Sequence, residues 1–338
     1  MALPRRARSL LLLLLFGGLL FFFFVLSVVL GSVKIPPEEL WETLFHQGGQ
    51  VYQKVVWEIR LPRALAAAFG GAALATAGLL LQIFFRNPIV DPYVLGVSSG
   101  ATLVVALLML TGLVLGGGPV PPYILSAAAL AGAAAVVGLI VAVANRVKNV
   151  VTLLVIGLMV GYLCSAGTSI LIAFAEKEKL HGFVLWTLGS FSGFCWDETL
   201  VLGVGGAIFL GGAYFLCKPL NALLLGEDYA QSMGVKIKML RVLIVLFSSG
   251  LAALVTAFAG PVAFIGLAGP HLARLALGTS DNRLLIPATM LVGGLIATAC
   301  DLVARLAFSP VELPVSAVTA VFGAPLVISL LLRRGTSL

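Results

Sequence analysis

Charged side chains are scarce in this sequence. Asp, Glu, Lys and Arg make up 10% of its 338 residues, and hydrophobic residues make up 60%. A soluble domain carries about 25% charged residues, so a water-soluble enzyme is excluded, and a disordered chain with it. Cysteine is rare too: Cys164, Cys195, Cys217 and Cys300 stand singly, with no disulfide framework and no redox or zinc spacing. The histidines His46, His181 and His271 lie far apart, so no metal site is expected. No Gly-Lys dipeptide occurs anywhere, so there is no P-loop and any ATP hydrolysis must be borrowed from another subunit. No residue set suggests covalent catalysis, and no cofactor is implied. The net charge of +7 is spread along the chain without a nucleic-acid patch.

What the sequence has instead is long runs without charge. A charge at a helix centre costs about 2.5–3.5 kcal/mol on insertion scales, and about 20 apolar residues cross a bilayer. The charge-free runs therefore mark candidate spans, at about residues 9–33, 64–85, 93–115, 122–145, 149–175, 199–217, 242–259, 262–277, 284–305 and 313–332. Gly116-Gly117-Gly118-Pro119-Val120-Pro121-Pro122 and Gly260-Pro261 divide runs too long for one helix. Continuous apolar runs, without alternation, argue against a membrane barrel. The expected fold is an all-α integral membrane protein with ten transmembrane helices. Arg5, Arg6 and Arg8 precede the first span and Arg333 and Arg334 end the last, so both termini are expected in the cytoplasm. That orientation puts 14 of the 21 Lys and Arg inside. The first span is too long for a signal-peptide core and lacks a small-residue cleavage site, so it is read as a retained span. Glycines cluster with alanine inside the spans, as at Gly70-Gly71-Ala72-Ala73 and Gly293-Gly294, which suits close helix packing.

Five segments carry more than hydrophobicity. Arg60-Leu61-Pro62-Arg63 opens the second span on the outer side, where Arg305 also falls, against the positive-inside bias. These arginines either snorkel to headgroups or meet an acidic partner. Arg86-Asn87-Pro88-Ile89-Val90-Asp91-Pro92 forms an inner turn: an ordinary tight loop, or a rigid element at the mouth of a pathway. Between Lys218 and Arg241 lies the longest inner polar stretch. It reads as one or two short helices over 220–236, with Glu227 and Asp228 at a helix start and Gly234 at an end. Leu225, Tyr229 and Met233 form an apolar stripe there, either packed on the protein's own spans or inserted into a separate cytoplasmic protein. Gly266-Leu267-Ala268-Gly269-Pro270-His271-Leu272-Ala273-Arg274 occupies the inner half of span eight. Finally, Asp301 and Arg305 are four apart and are expected to pair on their helix. That pairing leaves no free midplane carboxylate for an ion-coupled secondary transporter, and three scattered histidines with one buried acid give no constellation for an intramembrane enzyme. Arg63-x-Leu65-x-x-x-Phe69 and Arg241-x-Leu243-x-x-x-Phe247 hint at an inverted repeat.

In these segments the chain resembles the permease subunits of type II ABC importers for iron-siderophores, haem and cobalamin. The matching strings are Arg60-Leu61-Pro62-Arg63, then Gln82…Arg86-Asn87-Pro88…Asp91-Pro92…Leu95-Gly96-Val97-Ser98-Ser99-Gly100-Ala101. Further on come Leu225-Gly226-Glu227…Ala230…Met233-Gly234-Val235 and Gly260-Pro261…Phe264-Ile265-Gly266-Leu267…Pro270-His271…Arg274. Asp301…Arg305…Glu312-Leu313-Pro314…Gly323-Ala324-Pro325 closes the series. The resemblance spans about residues 35–333 and departs at Asn149-Val150-Val151-Thr152, where cobalamin members carry small hydroxyl residues. It implies a homodimer in the plasma membrane, with two cytoplasmic ATPase subunits and an extracytoplasmic substrate-binding protein. It also implies that Leu225, Gly226, Glu227, Asp228, Tyr229, Met233 and Gly234 contact the ATPases. Arg60, Arg63 and Arg305 would face acidic residues of the binding protein. Asn87, Pro88, Asp91, Pro270, His271 and Arg274 would shape the inner mouth.

Overall fold

The computed structural model describes residues 5–335 apart from 32, 34, 45–48, 112–119 and 148. His46, Lys148 and the glycines at 116–118 lie outside the described residues. Every regular element among the described residues is helical. In chain order they are α1 (Arg5–Val29), α2 (Pro37–Leu44), α3 (Gln50–Phe84), α4 (Val97–Leu110), α5 (Pro122–Arg146), α6 (Val150–Ala173) and α7 (Lys177–Thr187). They continue as α8 (Trp196–Phe215), α9 (Cys217–Leu224), α10 (Glu227–Ser232), α11 (Ile237–Ala259), α12 (Ile265–Leu277), α13 (Asn282–Leu306) and α14 (Val315–Gly335). Seven of these, α1, α3, α5, α6, α8, α11 and α13, are long and apolar enough to cross a membrane. The helices α4, α12 and α14 fill the other places where charge-free runs occur.

Burial sorts the long helices. The apolar stretch of α3 is 78% buried and that of α11 67%, against 11% for α1 and 17% for α6. Helix α3 forms the centre, with α8, α11, α12, α13 and α1 packed round it; α4 packs on α5 and α6, and α14 closes on α12 and α13. Without a hydrophobic drive between helices in lipid, such packing needs backbones close together. Glycine supplies that here. A methyl on Gly71 of α3 would strike the Gly293 carbonyl of α13, and one on Gly78 would strike the Gly266 carbonyl of α12. Aliphatic side chains of α3, including Leu74, Leu79, Leu80 and Leu81, are fully buried around these contacts.

The structure departs from the sequence reading in local ways. Arg60-Leu61-Pro62-Arg63 does not begin a helix after a loop. It lies inside α3, just after a π-helical stretch at Lys54–Arg60. Pro62 has no N–H to continue the hydrogen-bond ladder, and the widened turn takes up the missing rung. The third apolar run starts with a 3-10 turn at Pro92–Leu95, and Gly96 in the left-handed region (φ 78°) re-aims the chain into α4. Helix α11 ends at Gly260, again with positive φ (69°), and an extended stretch leads to α12. Helices α2 and α7 were not expected from the charge pattern.

Candidate functional site

Polar and charged side chains gather in three constellations, one at the end of α3 near Arg60 and two at its other end. The first is a charge cluster. Arg63 of α3 is 4% exposed and turns its guanidinium onto Asp301 of α13, which is fully buried. Nε donates to both carboxylate oxygens at 3.1 and 3.0 Å, and Nη2 to Oδ1 at 3.0 Å. The remaining arm, Nη1, reaches Glu312 Oε1 at 2.9 Å, on the turn before α14. Charge-assisted forked bonds of this kind are the strong ones, and here they join α3, α13 and the entry to α14.

The expected Asp301–Arg305 pair is therefore corrected. Asp301 belongs to Arg63, and Arg305 instead donates from Nη2 to the Ser27 carbonyl at 2.7 Å and Ser27 Oγ at 3.1 Å. Arg60 donates from Nη1 to the carbonyls of Val28 (3.0 Å) and Val29 (2.7 Å) and from Nη2 to that of Val33. The Val28 and Val29 carbonyls end α1, where orphan acceptors need donors, and Val33 lies just beyond it. A side chain at Gly31 would meet the Arg60 guanidinium at 2.6 Å, so glycine there admits it. All three arginines are buried in this chain, at 2–4% exposure. Within this chain each guanidinium is aimed inward at an acceptor. Only Glu312, 38% exposed, brings the cluster to the surface.

The second constellation is the inner turn. Asn87 Oδ1 accepts from the Ile89 N–H at 3.0 Å, and Asp91 Oδ1 from the Tyr93 N–H at 3.0 Å, which caps the 3-10 turn that Pro92 begins. Desolvation pushes the Asp91 carboxyl up to about 6, partly opposed by that backbone hydrogen bond. Across from it, Arg274 Nη1 donates to Gln82 Oε1 at 2.9 Å, and Gln82 Nε2 donates to the Gly266 carbonyl at 3.3 Å. Pro270 and His271 are buried within α12. Asn87, Pro88 and Asp91 thus sit on one turn, and Gln82 ties that turn's helix to Arg274. Sequence reasoning quoted Gln82 only as part of a matching string; its bridging role needed the fold.

The third is the pair of short helices α9 and α10. Gly226 (φ 127°) and Gly234 (φ 87°) bracket α10, where only glycine turns the chain without strain. Glu227 and Asp228 occupy the first turn of α10. Leu225, Tyr229 and Met233 are 67%, 52% and 62% exposed. The apolar stripe therefore faces outward and does not pack on the protein's own spans. Beneath it, the short helices are tied down. Ala230 is fully buried, Glu227 pairs with Arg241 of α11 at 3.6 Å, and Asn221 Nδ2 donates to Asp281 at 2.7 Å. The Asn282 backbone N–H, at the start of α13, donates to Asn221 Oδ1 at 2.8 Å. The short helices are thereby tied to α11 and α13, two of the three most buried long helices.

Among the described residues no group of three His, Cys, Asp or Glu could hold a metal ion. Asn149, in the departing segment, caps α6 by accepting from the Val151 N–H at 2.8 Å.

Comparison with known proteins follows the same outline. Residues 19–333 match the FecCD transport family. The vitamin B12 import system permease protein BtuC of Klebsiella pneumoniae is 36% identical over 309 residues, 91% of this chain and 89% of that protein. BtuC of Yersinia enterocolitica is 40% identical over 300 residues, 87% of this chain and 86% of that one. A solved structure described as an inward-facing conformation of a metal-chelate type ABC transporter superposes with a TM-score of 0.82 at 31% identity. It covers 96% of this chain and 99% of that one.

Proposed function

The chain belongs to the FecCD transport family, and from that premise we propose that it is the permease subunit of an ATP-binding-cassette importer for a bulky metal chelate. Ferric siderophores, haem and cobalamin are the cargo classes, and the likeness to vitamin B12 permeases favours a cobalt corrinoid. Ten helices cross the plasma membrane, with both termini in the cytoplasm. Two copies form a homodimer, with the pathway at the two-fold axis.

The observation that carries the coupling half of this reading is the outward-facing stripe of Leu225, Tyr229 and Met233 on helices anchored to the core. The chain has no P-loop, so the work must enter through a contact surface. Two ATPase subunits seat on α9 and α10. When ATP closes the ATPase dimer, the short helices move, Arg241 and Asn221 carry that motion to α11 and α13, and the spans rock between outward and inward access. An ion-coupled mechanism lacks support, because Asp301 is held by Arg63 in forked hydrogen bonds.

The extracytoplasmic binding protein docks on the opposite face. Arg60, Arg63 and Arg305 serve that surface by bracing it: they fix the end of α1, the turn before α14 and the rim carboxylate of Glu312. Asn87, Pro88, Asp91, Pro270, His271 and Arg274 hold the inner mouth in shape. Co-purification of this chain with its ATPase and binding protein, followed by ATP-dependent uptake of cyanocobalamin, a ferric siderophore or haem into proteoliposomes, tests the assignment. No ATP-dependent uptake of any of the three would count against it.

A further inference from the structure

A cleft of about 320 Å³ opens beside the short helices, between the end of α3, α9, the end of α12 and the start of α13. Its walls mix two chemistries. Ile83, Pro88, Leu224 and Leu285 are apolar, whereas Arg86, Arg274 and Asn282 bring polar groups. Among the described residues no carboxylate lines it. The neighbouring Asp281 is engaged at the start of α13, accepting from Asn221 Nδ2 at 2.7 Å and the Arg283 N–H at 3.1 Å.

Arg86 is exposed, and the hydrogen bond recorded for its guanidinium is a long one, 3.4 Å to the Leu223 carbonyl. Its backbone is held in the left-handed region at φ 48°, which an arginine rarely adopts. Arg274 is fixed by Gln82 at 2.9 Å, so one guanidinium is preset and the other is free to close. Asn282 adds an independent sign of a ligand. It is fully buried; its backbone N–H and Nδ2 both donate to Asn221 Oδ1 at 2.8 Å, which fixes the amide's orientation. Its Oδ1 is then a buried acceptor with no donor, an arrangement proteins avoid unless something supplies one.

We propose that this cleft binds a phosphate-type oxyanion that also carries a hydrogen-bond donor. Hydrogen phosphate and the phosphoethanolamine headgroup of a lipid share that chemistry. The arginines take the oxyanion, by the charge-assisted bonds that guanidinium makes to phosphate, and the donor, P–OH or ammonium, satisfies Asn282 Oδ1. The apolar wall suits the glycerol end of a lipid. A bound anion would link the inner turn, α9, α12 and α13 beside the coupling helices. Its cytoplasmic placement rests on the topology proposed above, but the site is tested on the permease alone, so its failure is separate from a failure of the transport reading.

The full-length permease is purified in detergent and titrated with inorganic phosphate, with sulfate as the donor-free control, and separately with phosphatidylethanolamine, with phosphatidylcholine as control. Thermal stabilisation and native mass spectrometry are the readouts. Saturable binding of phosphate over sulfate, or retention of one phosphatidylethanolamine per chain over phosphatidylcholine, is expected, and which occurs identifies the source. Arg86→Gln should weaken that binding by about tenfold, whereas Arg86→Lys should keep most of it. If Arg86→Gln does not fold, Ser280→Glu sets a carboxylate at the exposed rim of the same cleft and should weaken binding likewise. No preference for the donor-bearing ligands, or equal binding by wild type and the folded variant, overturns the proposal.

Discussion

Replacing Arg63 by Met is the sharpest test of how α3, α13 and the turn before α14 are held together. The side chain is of similar length and stays apolar, so the change removes charge with little loss of volume. It strands Asp301, which is fully buried and whose carboxylate oxygens lose three hydrogen bonds from Arg63. Breaking a buried ion pair from one side costs about 3–5 kcal/mol. Glu312→Gln touches the same guanidinium from its exposed side. Glu312 is 38% exposed, so solvent screens its pairing and the expected loss is about 0.2–1 kcal/mol. The double variant Arg63→Met with Asp301→Leu removes the stranded charge as well. Exchange of a buried pair for apolar groups is often neutral or stabilising, so it should recover most of the loss. Unfolding by SDS titration in mixed micelles gives the free energies, and the double-mutant cycle gives the coupling. An Arg63→Met variant as mild as Glu312→Gln, or a double variant worse than Arg63→Met, would mean that Asp301 does not depend on Arg63.

Three further outcomes are expected. Tyr229→Asp with Met233→Asp should abolish ATPase co-purification or uncouple hydrolysis from uptake, yet leave the permease's own thermal midpoint unchanged, since both side chains are exposed; normal uptake would show that the stripe is not a docking surface. Asp91 has a folded-state pKa raised from 3.8 to about 6, so the folded chain binds the extra proton and stability should fall as pH rises through that window, then level off. Asp91→Asn keeps an acceptor for the Tyr93 N–H and should flatten the pH dependence of the thermal midpoint; an unchanged slope counts against it. Cys195 is the exposed cysteine while Cys164, Cys217 and Cys300 are buried, so an impermeant maleimide added to intact cells should label Cys195 selectively. Desolvation, then the carboxylates of Glu198, Asp197 and Glu58, raise the thiol's pKa, so labelling should speed up at alkaline pH; protection from outside reagent would reverse the topology.

Much of the architecture was legible because charge is so costly in lipid. Gaps between charges locate α1, α5, α6, α8, α11 and α13 closely, and Gly234 and Gly260 end helices as their position suggested. The short helices α9 and α10, and their apolar stripe, were also readable, though periodicity alone could not say which way the stripe faced. What could not be read was partner choice. Arg305 is four residues from Asp301, so local spacing favoured that pair, but Arg63 lies 238 residues away in the chain and wins by forked geometry. Arg60 and Arg305 looked like surface groups for a related reason: their acceptors at and just past the end of α1 are chiefly backbone carbonyls, which no side-chain pattern announces. Helix α7 was missed because Lys177, Glu178 and Lys179 in its first turn read as loop.

In the proposed function this chain moves cargo only when an ATPase drives it. Proteoliposomes holding the permease, its ATPase and the binding protein loaded with radiolabelled cyanocobalamin test that directly. Uptake should require ATP and the binding protein, should vanish when the ATPase is omitted, and should be indifferent to collapse of the proton and sodium gradients. Accumulation by the permease alone, driven by an imposed ion gradient, would instead make it an ion-coupled transporter.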